Sequence, residues 1–468
     1  MLFNSVSFLL FFPIVTLIYF LLPHRWRWLH LLVASCVFYM FFVPYYIVIL
    51  FVTILIDYFA GIWIERSEGR KKKRYLLFSI ISTCLVLFVF KYYNFFIDNF
   101  NGVAHLIGWN YSIEALSIIL PIGLSFHTFQ SLSYVIEVYR GKQKAETNFG
   151  IYSLYVMYYP QLVAGPIERP QNLLHQFKRQ NPFRFQNFYR GARLMLYGFF
   201  MKLVVADRLS IYVDTVYTNS DKHSGISLIV ATVFFAFQIY CDFAGYSAIA
   251  IGASRIMGIG LMTNFRRPYL SSSIGEFWRR WHISLSTWFK DYVFISMGGS
   301  HLKNKYKVYF NLMVTFLISG FWHGANWTFV IWGGLNGFYL VVERALRPGQ
   351  VYTRYIPKFL KMLYVFVLIC LSWIFFRSDS LTQALYILNK IGHPGGKLFL
   401  PPDPEIMIYC LLSISMILFF EVFYERVYAR RKLSRFYRTF NHAFMIFLFF
   451  IVLLFGVFDG GQFIYFQF

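Results

Sequence analysis

Charged side chains are sparse in this chain of 468 residues, and acidic ones are sparser still. Asp, Glu, Lys and Arg make up 14% of it, while 58% of residues are hydrophobic and 22% aromatic. A soluble domain carries about a quarter charged residues, so this composition excludes a water-soluble fold of such length and leaves a polytopic membrane protein. The 21 carboxylates face 44 lysines and arginines, a net charge of +23. Nucleic acid is nevertheless excluded as a partner. The basic residues fall in loops between apolar spans, the pattern of the positive-inside rule and of contact with anionic lipid headgroups. Cysteine is rare: Cys36, Cys84, Cys241, Cys370 and Cys410 lie scattered in apolar segments without a CxxC pair, which reads as packed thiols rather than a disulfide framework. Walker A, HExxH and GxSxG patterns are all missing. Internal repeats, low-complexity linkers and soluble segments are missing too. The chain therefore reads as a single membrane domain over 1–468, with N-terminal spans over 1–138, a core over 139–350 and C-terminal spans over 351–468.

What is there is a succession of apolar runs. Candidate spans are 5–23, 29–43, 45–64, 75–97, 113–138, 187–208, 225–251, 358–377, 405–424 and 441–459, with 306–343 as a further apolar stretch. Segment 5–23 has neither a basic n-region nor a small-residue cleavage site, so it is expected to stay as a first span. Segment 150–166 is aromatic and broken by Pro160, Gly165 and Pro166, which suits a re-entrant or interfacial element. The run Arg70-Lys71-Lys72-Lys73-Arg74 sets the orientation as cytoplasmic, whereas 98–114 holds two carboxylates and no Lys or Arg. Counting from there puts both termini outside and places the basic stretches 266–307, 344–361 and 426–438 inside. Segment 306–343 then starts and ends on the cytoplasmic side and should fold as a hairpin or a pair of short helices. The count hinges on 187–208, which contains Arg190, Arg193, Lys202, Asp207 and Arg208. If that segment only lay on the surface, every later assignment would invert.

Two histidines in tryptophan-rich surroundings carry the chemistry. One closes Glu276-Phe277-Trp278-Arg279-Arg280-Trp281-His282, and the other is central to Gly320-Phe321-Trp322-His323-Gly324-Ala325-Asn326-Trp327. A titratable imidazole in an apolar span is costly and marks a functional site by default, and histidine moves protons near neutral pH. Residues 273–292 read as one amphipathic helix that opens with a Ser273–Glu276 capping box, with Trp278, Trp281, His282, Leu285, Phe289 and Tyr292 on one stripe. Arg280, Ser284, Thr287 and Asp291 form the other stripe. On that pattern alone His282 reads equally as a satisfied interfacial histidine. His323 is expected near the turn of the 306–343 hairpin, deep in the membrane. There Gly320 and Gly324 form a GxxxG step, Asn326 is placed to orient the imidazole, and Trp322 helps to wall a channel. The bland alternative is a helix-packing motif with an incidental histidine. His127, beside Pro121 and Gly123, reads as structural or channel-lining. The two histidines lie 41 residues apart with no cysteine or carboxylate at metal-ligand spacing, so no metal site is expected.

Around these residues the sequence resembles the membrane-bound O-acyltransferase (MBOAT) family, in the bacterial branch typified by the alginate O-acetyltransferase membrane subunit. The resemblance spans nearly the whole chain. It runs through Leu120–Phe126, Phe129-Gln130-Ser131-Leu132-Ser133-Tyr134, Tyr159–Ile167, Glu276–Trp288 and Phe321-Trp322-His323-Gly324. It implies an all-α membrane fold of roughly 10–12 transmembrane or re-entrant helices around a funnel and tunnel. His323 would be the catalytic histidine and His282 a second site residue, with Arg280, Trp281, Asp291, Trp322, Asn326 and Gln130 lining the channel or the donor site.

The ending Phe463-Ile464-Tyr465-Phe466-Gln467-Phe468 resembles the FxYxxF tail of members that acylate surface polymers. Taken alone it reads as an aromatic terminus in the headgroup region; the resemblance makes Tyr465 an acyl relay flanked by Phe463 and Phe468. The implied donor is acetyl-CoA or another pantetheine thioester, with no bound cofactor. The implied partners are the bilayer of the bacterial inner membrane, an exported SGNH-type acetyltransferase and, indirectly, a polysaccharide. D-alanyl transfer to wall polymers is a related outcome. A transporter of a lipid-linked or anionic solute is the rival from another class, and the paired repeats common in transporters are missing.

Overall fold

A computed structural model describes the chain except residues 110, 119, 164, 347–355, 430–434, 459–462 and 464–468 and the side chains within 427–442. Among the described residues all regular structure is helical. Five helices are long and apolar enough to cross a bilayer: Tyr46–Glu65, Gly69–Leu106, Gly225–Ile256, Lys358–Arg377 and Glu405–Arg426. Val6–Leu21 and Ala443–Phe455 are shorter apolar helices. Leu10, Leu17, Ile81, Leu85, Leu411, Phe419 and Leu454 each leave more than half of their surface uncovered. Apolar area of that extent needs lipid as its solvent. The protein is an all-α, multi-pass membrane protein.

The chain packs as two compact units, Met1–Ala192 with Ala250–Met262 and Arg193–Ile249 with Thr263–Phe468. In the first, α1 (Val6–Leu21) and α2 (His24–Met40) lead into α3 (Tyr46–Glu65) and α4 (Gly69–Leu87), and a π turn over Phe88–Tyr92 continues α4 into α5 (Tyr93–Leu106). Asp57 of α3 is fully buried and accepts hydrogen bonds from Ser79 (2.6 Å) and Thr83 (3.1 Å) of α4, so its polar atoms are satisfied inside the protein. The expected span 113–138 is helical only from Leu124, as α6 (Leu124–Tyr139). Pro121 removes a donor, and Gly123 takes φ 78° where an added Cβ would lie 2.7 Å from the carbonyl oxygen of Leu162. Segment 150–166 forms two short helices, α7 (Phe149–Met157) and α8 (Tyr159–Leu162), and residues 151–163 are all buried. Its broken backbone is tolerable because protein covers it. α9 (Pro170–Lys178) follows.

Two helices, α10 (Phe185–Phe199) and α12 (Gly225–Ile256), contribute residues to both units. Between them a π turn over Phe200–Ala206 leads into α11 (Asp207–Thr218). Residues 200–206 are all buried, and Lys202 reaches Asp207 and Asp242 at 2.8 Å each. The lysine that complicates the span count is thus neutralised inside the protein, where removing one partner of such a pair typically costs about 3–5 kcal/mol.

In the second unit, α13 (Ile274–Arg280) and α14 (Ile283–Phe289) precede the hairpin of α15 (Lys305–His323) and α16 (Trp327–Leu346). Then come α17 (Lys358–Arg377), α18 (Leu381–Gly392), α19 (Glu405–Ala429) and α20 (Arg435–Phe455). The expected short pair over 306–343 is two helices of 19 and 20 residues, so at 1.5 Å per residue each runs about 28–30 Å. His323 ends the first of them, next to the turn. The two backbones touch where they cross. A Cβ on Gly320 would lie 2.3 Å from the carbonyl oxygen of Phe329, and one on Gly333 would lie 2.3 Å from that of Phe316.

Gly333→Val should therefore destabilise the protein by about 1–3 kcal/mol in an SDS-titration unfolding measurement. Gly334→Ala, where the nearest atom to a new Cβ is Leu317 Cδ2 at 3.5 Å, should stay near wild type.

Candidate functional site

The segment around His282 is where local sequence and structure part company. Ser273 caps α13 as expected, accepting from the Glu276 backbone at 3.0 Å, and Glu276 accepts from the Ser272 backbone and hydroxyl at 2.8 Å each. Burial alone would raise the Glu276 pKa, but these two hydrogen bonds and Arg280 hold it below the usual carboxylate value. Glu343 of α16 accepts from the backbone of Ile274 at 2.6 Å and of Gly275 at 3.2 Å, fixing the N-terminus of α13.

The single helix expected over 273–292 does not form. α13 ends at Arg280, Trp281 is extended, and His282 adopts φ 40°, ψ 56°, after which α14 runs from Ile283 to Phe289 and a π turn covers Lys290–Phe294. A buried non-glycine residue in the left-handed region costs about 1–3 kcal/mol and persists only where its surroundings over-determine it. Asn264 supplies that constraint. Its backbone carbonyl accepts from Ile283 N–H (2.8 Å), and its side-chain oxygen accepts from the Ser284 N–H (3.2 Å) and hydroxyl (2.9 Å).

This arrangement also fixes the protonation of His282. The Ser284 backbone N–H must donate, so the accepting atom of Asn264 is its oxygen. The His282 Nδ1, 3.1 Å from that oxygen, must then carry the hydrogen. The amide nitrogen of Asn264 donates to Ser247 at 3.1 Å. Burial pushes the His282 pKa well below the ordinary histidine value, so the ring is neutral, with Nε2 as its basic atom. Phe243 lies edge-on to the ring with centroids 4.6 Å apart, and Phe265 stacks at 6.2 Å.

His323 is 6% exposed and enclosed by aromatic rings: Trp322 at 4.9 Å, Trp332 at 5.0 Å and Phe376 at 5.4 Å, each steeply inclined to the imidazole. Gly324 makes room for this wall, since a Cβ there would lie 2.2 Å from the ring of Phe329. A chain of contacts joins the surroundings of the two histidines: Trp281 to Trp373 at 5.1 Å, Trp373 stacked on Trp332 at 5.8 Å, and Trp332 to His323. Each such pair adds about 0.5–1.5 kcal/mol beyond burial, so the cluster is stiff as well as apolar.

The remaining expected residues divide. Trp281 is 2% exposed and Trp322 is 6% exposed, and both belong to this cluster. Arg280 is held in ion pairs with Glu276 (2.7 Å) and with Glu425 of α19 (3.1 Å), so its partners are protein carboxylates. Asn326 does not orient His323: its amide nitrogen donates to the Asp379 carbonyl at 3.2 Å, and its oxygen caps the Thr328 N–H at 2.9 Å. Asp291 sits half-buried in the π turn after α14. Gln130 belongs to the first unit, where it is buried in α6 and shares a small cavity with His127 and Gln161. His127 lies 3.3 Å from the Thr53 hydroxyl. Phe463 is 1% exposed and packs on Tyr246 (4.7 Å) and Phe243 (5.6 Å), so the start of the tail lies one ring away from His282. Tyr465 and Phe468 lie outside the described residues. Asn264, Phe243, Trp332, Trp373 and Phe376 were not legible as site residues, because only packing between distant segments brings them to the histidines. No group of three or more potential metal ligands occurs among the described residues.

The model of the membrane-bound O-acyltransferase family matches residues 147–378, which contain both histidines and the aromatic cluster around them. The chain belongs to this family and is an O-acyltransferase. It is similar to the probable alginate O-acetylase AlgI of Azotobacter vinelandii, at 39% identity over 387 residues covering 82% of this chain and 76% of that protein. It is also similar to the peptidoglycan O-acetyltransferase of Helicobacter pylori, at 35% identity covering 83% of this chain and 79% of that protein. Likeness to the teichoic acid D-alanyltransferase of Streptococcus thermophilus is lower, at 28% identity over 58% of this chain and 70% of the relative.

Replacing Asn264 with alanine strands the buried donors of His282 and Ser284. A loss of about 1–3 kcal/mol per stranded group is expected in thermal unfolding of the purified protein.

Proposed function

We propose that this protein takes an acetyl group from acetyl-CoA or another pantetheine thioester at the cytoplasmic face of the bacterial inner membrane and passes it outward for O-acetylation of a polysaccharide. The observation that carries this reading is the placement of His323 at the end of α15, its imidazole buried among Trp322, Trp332 and Phe376. An apolar aromatic enclosure excludes water, which would otherwise hydrolyse the thioester. His323 acts as general base: it removes the acceptor hydroxyl proton as that oxygen attacks the thioester carbonyl, and returns the proton to the departing thiolate. His282, with Nδ1 committed to Asn264, is a second site residue that holds the adjoining aromatic wall in place.

Tyr465 is the first acceptor, forming an acyl-tyrosine that an exported SGNH-type partner discharges onto the polymer. The seat of Phe463 against Phe243 and Tyr246 supports this, because it ties the tail to the aromatic surroundings of His282. The relatives named for O-acetylation of alginate and peptidoglycan support a polysaccharide as the final acceptor and acetyl as the group moved. The basic stretches around 266–307 suit an anionic donor and an inward-facing docking surface.

Two substitutions test the reading. His323→Ala, checked for folding, should lower transfer from labelled acetyl-CoA at least 100-fold in proteoliposomes, and full activity in that variant would refute it. Tyr465→Phe should abolish acetylation of the surface polymer in cells while thioester binding persists. Unchanged polymer acetylation would remove Tyr465 from the path. Solute transport by liposomes containing the protein, without covalent acyl transfer, would favour the transporter reading instead.

A further inference from the structure

We propose that the indole N–H of Trp332 is the oxyanion donor of this acyltransferase, polarising the thioester carbonyl on which His323 acts. The inference rests on the acyl-transfer reading of His323 above and adds a second catalytic residue to it.

Acyl transfer builds negative charge on the carbonyl oxygen, and the largest single catalytic term is usually a fixed donor aimed at that oxygen. Two other polar side chains of the site are already committed. Both amide atoms of Asn326 serve backbone groups, and His282 donates its Nδ1 hydrogen to Asn264. Trp332 is different. It is 1% exposed, its ring centroid lies 5.0 Å from that of His323 at 85°, and its Nε1 has no hydrogen-bond partner among the described residues. Buried indole N–H groups normally find an acceptor, because leaving one unmade in an apolar interior is costly. A carbonyl oxygen delivered by the substrate would supply the missing acceptor.

The ring is also held still, as an oxyanion donor must be. Trp373 stacks on one face at 5.8 Å and 18°, while Trp278 (5.8 Å) and Phe376 (5.3 Å) bear on it at steep angles. Little reorganisation is then needed when charge develops.

The step balances without any further reactant. The acceptor hydroxyl oxygen bonds to the carbonyl carbon while His323 takes its proton, and the carbonyl electrons move onto oxygen opposite the Trp332 N–H. When the carbonyl re-forms, the carbon–sulfur bond breaks and the thiolate leaves with the proton from His323. The indole proton stays on nitrogen throughout.

The test uses the full-length protein in proteoliposomes with acetyl-CoA, reading thiol release and acyl transfer together. Trp332→Phe keeps an aromatic ring and removes the donor; kcat should fall about 10²–10³-fold with KM within threefold of wild type. Trp63→Phe deletes an indole N–H on α3 of the first unit, where the ring is exposed, and should change kcat less than threefold. If Trp332→Phe fails to fold, a benzothienylalanine at that position keeps the indole shape with sulfur in place of N–H, and the same fall is expected. A folded variant of either kind with kcat within tenfold of wild type overturns the assignment. His323→Ala separates the two ideas: an inactive His323→Ala with an active Trp332 variant defeats the oxyanion role alone, whereas an active His323→Ala defeats the acyl-transfer reading itself.

Discussion

The site in the second unit depends on the oxygen of one buried amide. In an apolar interior every backbone donor must be paired within the protein, and breaking a helix at Trp281–His282 releases donors that the helix would have satisfied. Asn264 takes them up, accepting from the Ser284 backbone and hydroxyl and from the His282 ring, while its own carbonyl accepts from Ile283. Because one of those donors is a backbone N–H, the orientation of the amide and the tautomer of the imidazole follow from a single hydrogen bond. The same break turns Trp281 inward onto Trp373, which starts the aromatic chain that ends at His323.

The hairpin supplies the other half of the geometry. Glycines at 320 and 333 let α15 and α16 touch backbone to backbone, and that contact brings Trp332 of the second helix against the last residue of the first. Larger residues at the crossing would separate the helices and open the wall around His323 to water. Packing and site geometry are therefore not separable here: the residues that close the helices together also keep the aromatic wall around His323 shut.

Much of this was legible in the sequence, for identifiable reasons. Long apolar runs are a local property, so 45–64 and 358–377 were found close to the observed Tyr46–Glu65 and Lys358–Arg377. The hairpin expected over 306–343, with His323 beside its turn, is present as two helices. What escaped depends on partners far away in the chain. A helical stripe over 273–292 records side-chain periodicity but not that Asn264, 18 residues before His282, reaches the backbone there. Residues 113–123 look apolar enough for a span, yet the close approach of Leu162 to Gly123 fixes a non-helical turn. Asn326 was expected to orient the imidazole because it is near in sequence; a carbonyl from the end of α17 competes for it and wins.

The left-handed backbone of His282 carries a consequence for how any replacement there behaves. An alanine at that position loses the imidazole and, with its Cβ, still bears the conformational penalty, now without the ring's anchor to Asn264. Glycine relieves the penalty while deleting the side chain, and asparagine tolerates the conformation while keeping a polar atom near the hub. Loss of function in an alanine variant would therefore mix two effects, a missing imidazole and a collapsed turn, and comparison with glycine and asparagine at the same position separates side chain from conformation.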